Sequence, residues 1–372
     1  MCKHSKDQAK GNRPSGDFSG KPASKCVWIG IDLGDRWSEV CELDAAGVVR
    51  SRGRVRTTPA AFRAHFEAYR GAEVAMETGT HSGWASRLLG DAGLRVTVAN
   101  AREIRKIHQS DRKNDRSDAA ILARMLRFDR TLLSPIYHRS AEMQAHIALL
   151  RARDVVVRTR SACINTVRGS VKALGGRLPA CSAESFARRA SNEIPPELQP
   201  ALGAILELIA TTTATIRAYD RRIEALGRER YPQTALLTQV AGVGPVTSLA
   251  FVLTLSDPQR FSRSRDVGTY FGLVPRQYDS GQHQSQLPIS KAGNAFMRRL
   301  LVQSAQYILG PFGPDCRLRR FGERLMLRGG KNAKKRAVVA VARKLAILLH
   351  YLWSTGAVYE PFHDSVTQKL AA

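Results

Sequence analysis

The sequence predicts a chain of α/β plus all-α class: a mixed-sheet domain, then a long helical hairpin or coiled coil, then a mostly helical C-terminal domain. Three observations carry that expectation. Short apolar runs of strand character alternate with helix signals up to about Leu126. Strand signals then vanish, and apolar residues recur at every seventh position between Met143 and Leu226. From residue 233 onward, Gly and Pro turns separate apolar helical stretches.

Residues 1–24 are polar, basic and rich in Gly, Ser and Lys, the composition of a disordered arm. Val27–Leu33 (VWIGIDL) is an apolar run typical of a buried strand. Ser38–Leu43 and Val48–Val55 continue the strand character across a turn at Ala46-Gly47. Thr58-Pro59 is a helix start, with a hydroxyl cap and proline in the first helical position. Glu73–Glu77 then reads as strand, Ser82–Ala92 as helix, Leu94–Val98 as strand, and about Ala101 to Leu126 as helix-rich. A three-strand meander followed by alternating α and β units gives a mixed sheet with helices on its faces, the pattern of a ribonuclease H-like domain.

Met143, Leu150, Val157, Ile164 and Val171 form one heptad row. Leu202, Ile209, Ile216 and Ile223 form another, with Ile205, Thr212, Tyr219 and Leu226 beside it. The stretch from Gly175-Gly176 to Pro200 divides the pattern into two long helices. An antiparallel hairpin, an intermolecular coiled coil and an ordinary bundle all fit this pattern. The resulting division is a basic arm (1–24), a mixed-sheet domain (25–135), the hairpin or coiled coil (136–232), a helical domain (233–360) and a tail (361–372).

The charge balance narrows the partners. The 372 residues carry 58 Lys+Arg against 32 Asp+Glu, a formal net charge of +26. A surface this basic calls for an acidic polymer. The six cysteines form no CxxC pair and no zinc spacing, which suits reduced thiols in a cytoplasmic protein. No apolar run approaches 18 residues, so no membrane span is expected, and the N-terminus has no secretory h-region.

Asp32 lies inside the first apolar strand, where an unpaired charge is costly unless it binds a partner or a metal. Glu77 ends the EVAME strand. Asp115 and Asp118, in NDRSDAA, share a helical face at i,i+3 spacing. A helix packed on the sheet could present both to Asp32 and Glu77. Four carboxylates so close would repel, and Mg²⁺ or Mn²⁺ would relieve the repulsion and clamp a phosphodiester. Asp111 is a competing acid, and His81 reads as structural. Gly242-Val243-Gly244 between helices resembles a helix-hairpin-helix turn, whose backbone N–H groups can hold a DNA phosphate, though a C-cap and tight turn fits as well. Lys331, Lys334, Lys335 and Arg336 form a basic run suited to phosphate contact or to a solvated face.

IGIDLGDRW, METGTHSGWASRLL and RKNDRSDAAILARML resemble the N-terminal half of the DEDD-type insertion-sequence transposases, whose RuvC-like domain holds divalent metal. The four acids of that family map to Asp32, Glu77, Asp115 and Asp118. GLVPRQYDSGQHQSQLPISKAGN is similar to the second domain of the same family. The likeness implies that Ser280 is a nucleophile forming a covalent phosphoserine link with DNA. Arg276, Asp279, His283 and Lys291 lie near it in sequence, Arg276 and Lys291 being candidate phosphate contacts. Without the likeness, Asp279-Ser280-Gly281 reads better as a simple β-turn than as a nucleophile. Ser285 competes with Ser280, and Ser290 is expected to cap the helix that follows.

The resemblance further implies DNA partners (element ends and target), a composite site, a homodimer or homotetramer, and a structured guide RNA that delegates sequence choice to base pairing. The function expected is transposition by strand cleavage and rejoining. Three alternatives stand beside it: an invertase of the same family, a RuvC-like junction nuclease using only the metal site, and a non-catalytic nucleic-acid-binding derivative.

Overall fold

The computed structural model describes residues 27–103, 115–276, 279–280, 283–284 and 287–362. They form two compact units, Met1–Ala141 and Glu142–Ala372.

The first unit is built on five strands: β1 (Trp28–Asp32), β2 (Trp37–Leu43), β3 (Val49–Arg56), β4 (Glu73–Glu77) and β5 (Arg95–Ala99). Their order is β3-β2-β1-β4-β5. The β1–β2 and β2–β3 pairs are antiparallel, as a meander requires, whereas β1–β4 and β4–β5 are parallel. A mixed sheet of this kind, followed by many helices, fits a ribonuclease H-like domain. The strand assignments expected from sequence agree with it to within a residue or so at each end.

Strand alternation assigns the two faces. Ile29, Ile31, Val74 and Met76 pack with Phe62 and Phe66 of α1 (Pro59–Phe66) and with Ala85 and Leu89 of α2 (Ser82–Asp91). The Thr58 hydroxyl accepts from Ala61 N at 3.3 Å, so the expected cap is present. The opposite face is covered by α3 (Asp115–Phe128). Here Ala119, Ala120 and Ala123 meet Cys41 and Leu43, while Leu122 and Leu126 meet Ala75 and Ala99. Gly30 sets the approach: a Cβ there would lie 1.9 Å from Ala119 O and 2.7 Å from Ala123 N. Only glycine permits helix backbone to rest on strand backbone at this point.

The second unit begins with two long helices, α4 (Ala141–Ala173) and, after the short α5 (Phe186–Ala190), α6 (Gln199–Arg230). They pack antiparallel. Arg230 pairs with Glu142, Arg153 with Asp220, and Arg160 reaches Thr213. The row Leu202, Ile209, Ile216 and Ile223 is buried throughout. In α4 only Leu150 and Val171 of the expected row are fully buried. Arg160 takes an interior place instead, with Glu184 and Thr213 as its partners.

The remaining helices share one core. They are α7 (Thr234–Thr238), α8 (Pro245–Leu255), α9 (Asp266–Tyr270), α10 (Ala295–Ile308), α11 (Arg317–Leu327) and α12 (Ala333–Thr355). A two-residue ladder, β6 (Asp279–Ser280) with β7 (His283–Gln284), rises between α9 and α10. Two expectations need correction. Ser290 does not cap α10: Asn294 does, its side chain accepting from Met297 N at 3.1 Å, because the chain makes a left-handed step at Lys291 before the helix begins. And although no unbroken apolar run reaches 18 residues, Pro196–Arg230 and Ala333–Thr355 are long and apolar enough to cross a membrane by composition alone. In α12 that apolarity serves the core of the unit, with Val341, Ala342, Leu345, Ala346 and Leu349 all fully buried.

Candidate active site and nucleic-acid interface

Asp32 and Glu77 are the last residues of β1 and β4. These strands are parallel neighbours with Ile31 beside Met76, so the two acids end the strands side by side. Each lies two residues beyond a position on the α3 face, Gly30 and Ala75, and therefore projects to that same face. Helix α3 runs back along β1, with its C-terminal Arg127 stacked on Trp28 at 5.7 Å. Its first turn, bearing Asp115 and Asp118, thus lies toward the carboxyl end of the sheet. Asp118 is half-buried, immediately before the Ala119 that rests on Gly30. The Asp115 side chain and Asp111 lie outside the described residues.

Sequence reasoning missed a further acid. Glu39 is directly opposite Asp32 in the β1–β2 pair, and Arg54 is opposite Glu39 on β3. Glu39, the third residue of β2, therefore stands in one row with Asp32 and Glu77, the last residues of β1 and β4, and only strand register reveals it. His81 is also better placed than expected. Trp84 Nε1 donates to its Nδ1 at 3.0 Å, which leaves the proton on Nε2, 3.6 Å from Asp35. This contact ties the loop after β1 to the loop after β4.

Hard carboxylate oxygens on one face suit a divalent cation in kind. Among the described residues, however, no three His, Cys, Asp or Glu side chains converge to ligating distance. Asp32 and Glu77 fit as a strand-end pair of ligands.

In the second unit, Ser280 lies in β6, with its backbone paired to His283 and that of Asp279 paired to Gln284. The side chains of Asp279, Ser280, His283 and Ser285 lie outside the described residues. The root of this ladder is firmly bonded: Arg276 N donates to Pro288 O at 3.0 Å and Ser290 N to Val274 O at 2.9 Å. Arg276 and Lys291 are exposed on either side. Gly242 has φ +81, and a Cβ there would sit 3.0 Å from Ser304 O and from the Tyr307 ring. Gly242, Gly244, Thr247 and Ser304 line a cavity of about 420 Å³ where α8 begins at Pro245. Lys331, Lys334, Lys335 and Arg336 are all exposed, and the last two also border a second cavity, of about 750 Å³. The structure does not bring the basic run and the glycine turn into one cavity.

Comparison with known proteins is consistent across the chain. Residues 29–174 match the DEDD transposase family of IS110 type, and residues 234–317 match the transposase IS116/IS110/IS902 family. The transposase for insertion sequence element IS1111A of Coxiella burnetii is 26% identical over 344 residues, which covers 89% of this chain and 90% of that protein. A probable family 20 transposase of Pseudomonas aeruginosa is 28% identical, covering 90% of this chain and 98% of its own length. The pilin gene-inverting protein of Moraxella lacunata is 27% identical over 114 residues, 30% of this chain and 34% of that protein. The class is therefore that of the transposases, enzymes that cleave and rejoin DNA. Within it, the chain belongs to the DEDD-type insertion-sequence transposases, a family that commonly uses a divalent metal.

Proposed function

We propose that this chain is the transposase of an insertion sequence, using Ser280 as nucleophile and Asp32, Glu77, Asp115 and Asp118 as ligands for Mg²⁺ or Mn²⁺. The observation that supports it most is the pairing of Asp32 and Glu77 at adjacent strand ends, on the face where α3 begins with Asp115. A bound divalent cation supplies charge neutralisation at the phosphodiester. The protein's own part is positioning. The Ser280 Oγ–P bond forms as the bond from phosphorus to the leaving strand oxygen breaks. The hydroxyl proton passes to a base, and the leaving oxygen takes up a proton. In joining, a strand hydroxyl attacks the phosphoserine and Ser280 is regenerated.

Phosphates are held by the Gly242–Gly244 turn, by Arg276 and Lys291 beside the ladder, and by the run Lys331, Lys334, Lys335 and Arg336. A structured non-coding RNA selects the sites, and the protein acts in the cytoplasm as a homodimer or homotetramer. The domain scheme is an arm (1–24), RuvC-like domain (25–135), hairpin (136–232), serine domain (233–360) and tail (361–372). Inversion of a fixed segment is a second reading, favoured by the likeness to the pilin gene-inverting protein.

The deciding experiment traps the reaction on nicked suicide substrates carrying the element ends, with Mg²⁺ and the RNA encoded beside the gene. Wild type should give a protein–DNA adduct on a denaturing gel. Ser280→Ala and Asp32→Asn should each lose it. Cleavage that survives Ser280→Ala would replace this reading with a metal-only nuclease.

A further inference from the structure

The larger cavity of the second unit, about 750 Å³, is within the range of roughly 300–1,000 Å³ in which small ligands bind. Two kinds of chemistry line it. Leu273, Ile289, Phe321, Val339 and Ile347 give it an apolar floor with one aromatic ring. Arg265, Lys335, Arg336, Arg343 and Lys344 surround that floor, and among the described lining residues there is no Asp or Glu. An apolar ligand would need no such ring of cations, and a bare phosphate would need no apolar chamber. A nucleotide needs both: a planar base for the floor and a phosphate for the cations.

Further observations bear on two of these cations. Arg343 Nε is buried and has no hydrogen-bond partner, a costly state for a guanidinium donor. Lys344 Nζ stands 4.5 Å from the centre of the Phe321 ring. Burial lowers the Lys344 pKa, and the nearby Arg317, Arg324 and Arg343 lower it further. An anion in the cavity would offset the crowded positive charge of Arg343 and Lys344.

We propose that this cavity takes one unstacked nucleotide of the DNA strand being cut, its base on Phe321 and the apolar floor, its phosphate on Arg343 and its neighbours. The choice of the cut strand rests on the Ser280 reading. The walls Leu273–Pro275 and Leu287–Ile289, joined by the Pro275–Ile289 bridge, lead directly into and out of the Ser280 ladder. A base held at their root would fix the phosphate register at the ladder.

The test uses the full chain and a short DNA duplex bearing one unpaired 2-aminopurine, against the same duplex fully paired. The bulged duplex should bind about tenfold more tightly, with a change in 2-aminopurine emission. Ala340→Trp, which fills the cavity, should abolish both effects while paired-duplex affinity stays within about twofold. Arg343→Gln, which leaves the floor intact, should reduce the preference and so covers the case in which Ala340→Trp misfolds. Equal affinity for the two duplexes, or a preference untouched by both variants, would overturn the proposal. So would displacement of the probe by a polyglutamate peptide as effective as displacement by single-stranded DNA. Ser280→Ala separates the two readings: a preference that persists in a variant whose DNA cleavage also persists removes the serine reading alone. A preference absent from a wild type that forms the adduct removes the cavity alone.

Discussion

At the scale of single residues, Glu42 shows how the sheet handles a charge that it buries. Its carboxylate is 3% exposed on the helix-covered face of β2 and accepts from the Tyr69 hydroxyl at 2.7 Å. Burial raises its pKa despite that bond and the nearby Arg50. A carboxyl whose folded pKa exceeds its unfolded one contributes stability at low pH and loses it as pH rises through the folded value. Glu42→Gln keeps the acceptor for Tyr69 and removes the titration. Melting curves should therefore show the glutamine variant gaining on wild type as pH rises above the ordinary value of 4.5. Gly242 is the second case. Its φ of +81 and its contact with Ser304 O leave no room for a side chain. Gly242→Ala should cost about 1–2 kcal/mol in chemical denaturation.

Among the elements, the contact between α3 and β1 decides where the carboxylates stand. Gly30→Val would drive a side chain into the Ala119 carbonyl, with a loss of at least about 2–3 kcal/mol. The same variant should lose DNA cleavage even at temperatures where circular dichroism shows it folded, because the first turn of α3 can no longer approach Asp32. Much of this arrangement was legible in the sequence. An acid ending EVAME marks a strand end, and DRSDAAILARML carries its small residues on one side, whereas Asp32, expected inside the VWIGIDL strand, instead closes it because β1 stops before Leu33. Glu39 was not legible, since its place beside Asp32 depends on antiparallel register, which no short motif encodes. The cap of α10 was misread because the sequence around Ser290 offers two capping residues, and a left-handed Lys291 selects the later one. The larger cavity was hidden for a different reason: Arg265, Phe321 and Arg343 are far apart in the chain, and only helix packing gathers them.

For the whole molecule, the net charge of +26 sets the expected physical behaviour. Fluorescence anisotropy with non-cognate duplex should show affinity falling by about 10³–10⁵ between roughly 50 and 200 mM salt, as counterions compete for the phosphates. A fall of less than about tenfold would mean that most of this charge never meets the backbone.

The α4–α6 hairpin has a consequence for how such proteins can vary. Arg153 faces Asp220 and Arg160 faces Thr213, so seven residues along one helix match seven along the other. The chain departs near Glu142 and returns near Arg230, where the two are joined by an ion pair. Its excursion, about 50 Å each way, begins and ends in one place. Seven residues can then be cut from both arms, or added to both, while the attachment point and the rungs on either side keep their spacing. The hairpin is an adjustable mast: its height can drift between relatives without disturbing the deck from which it rises.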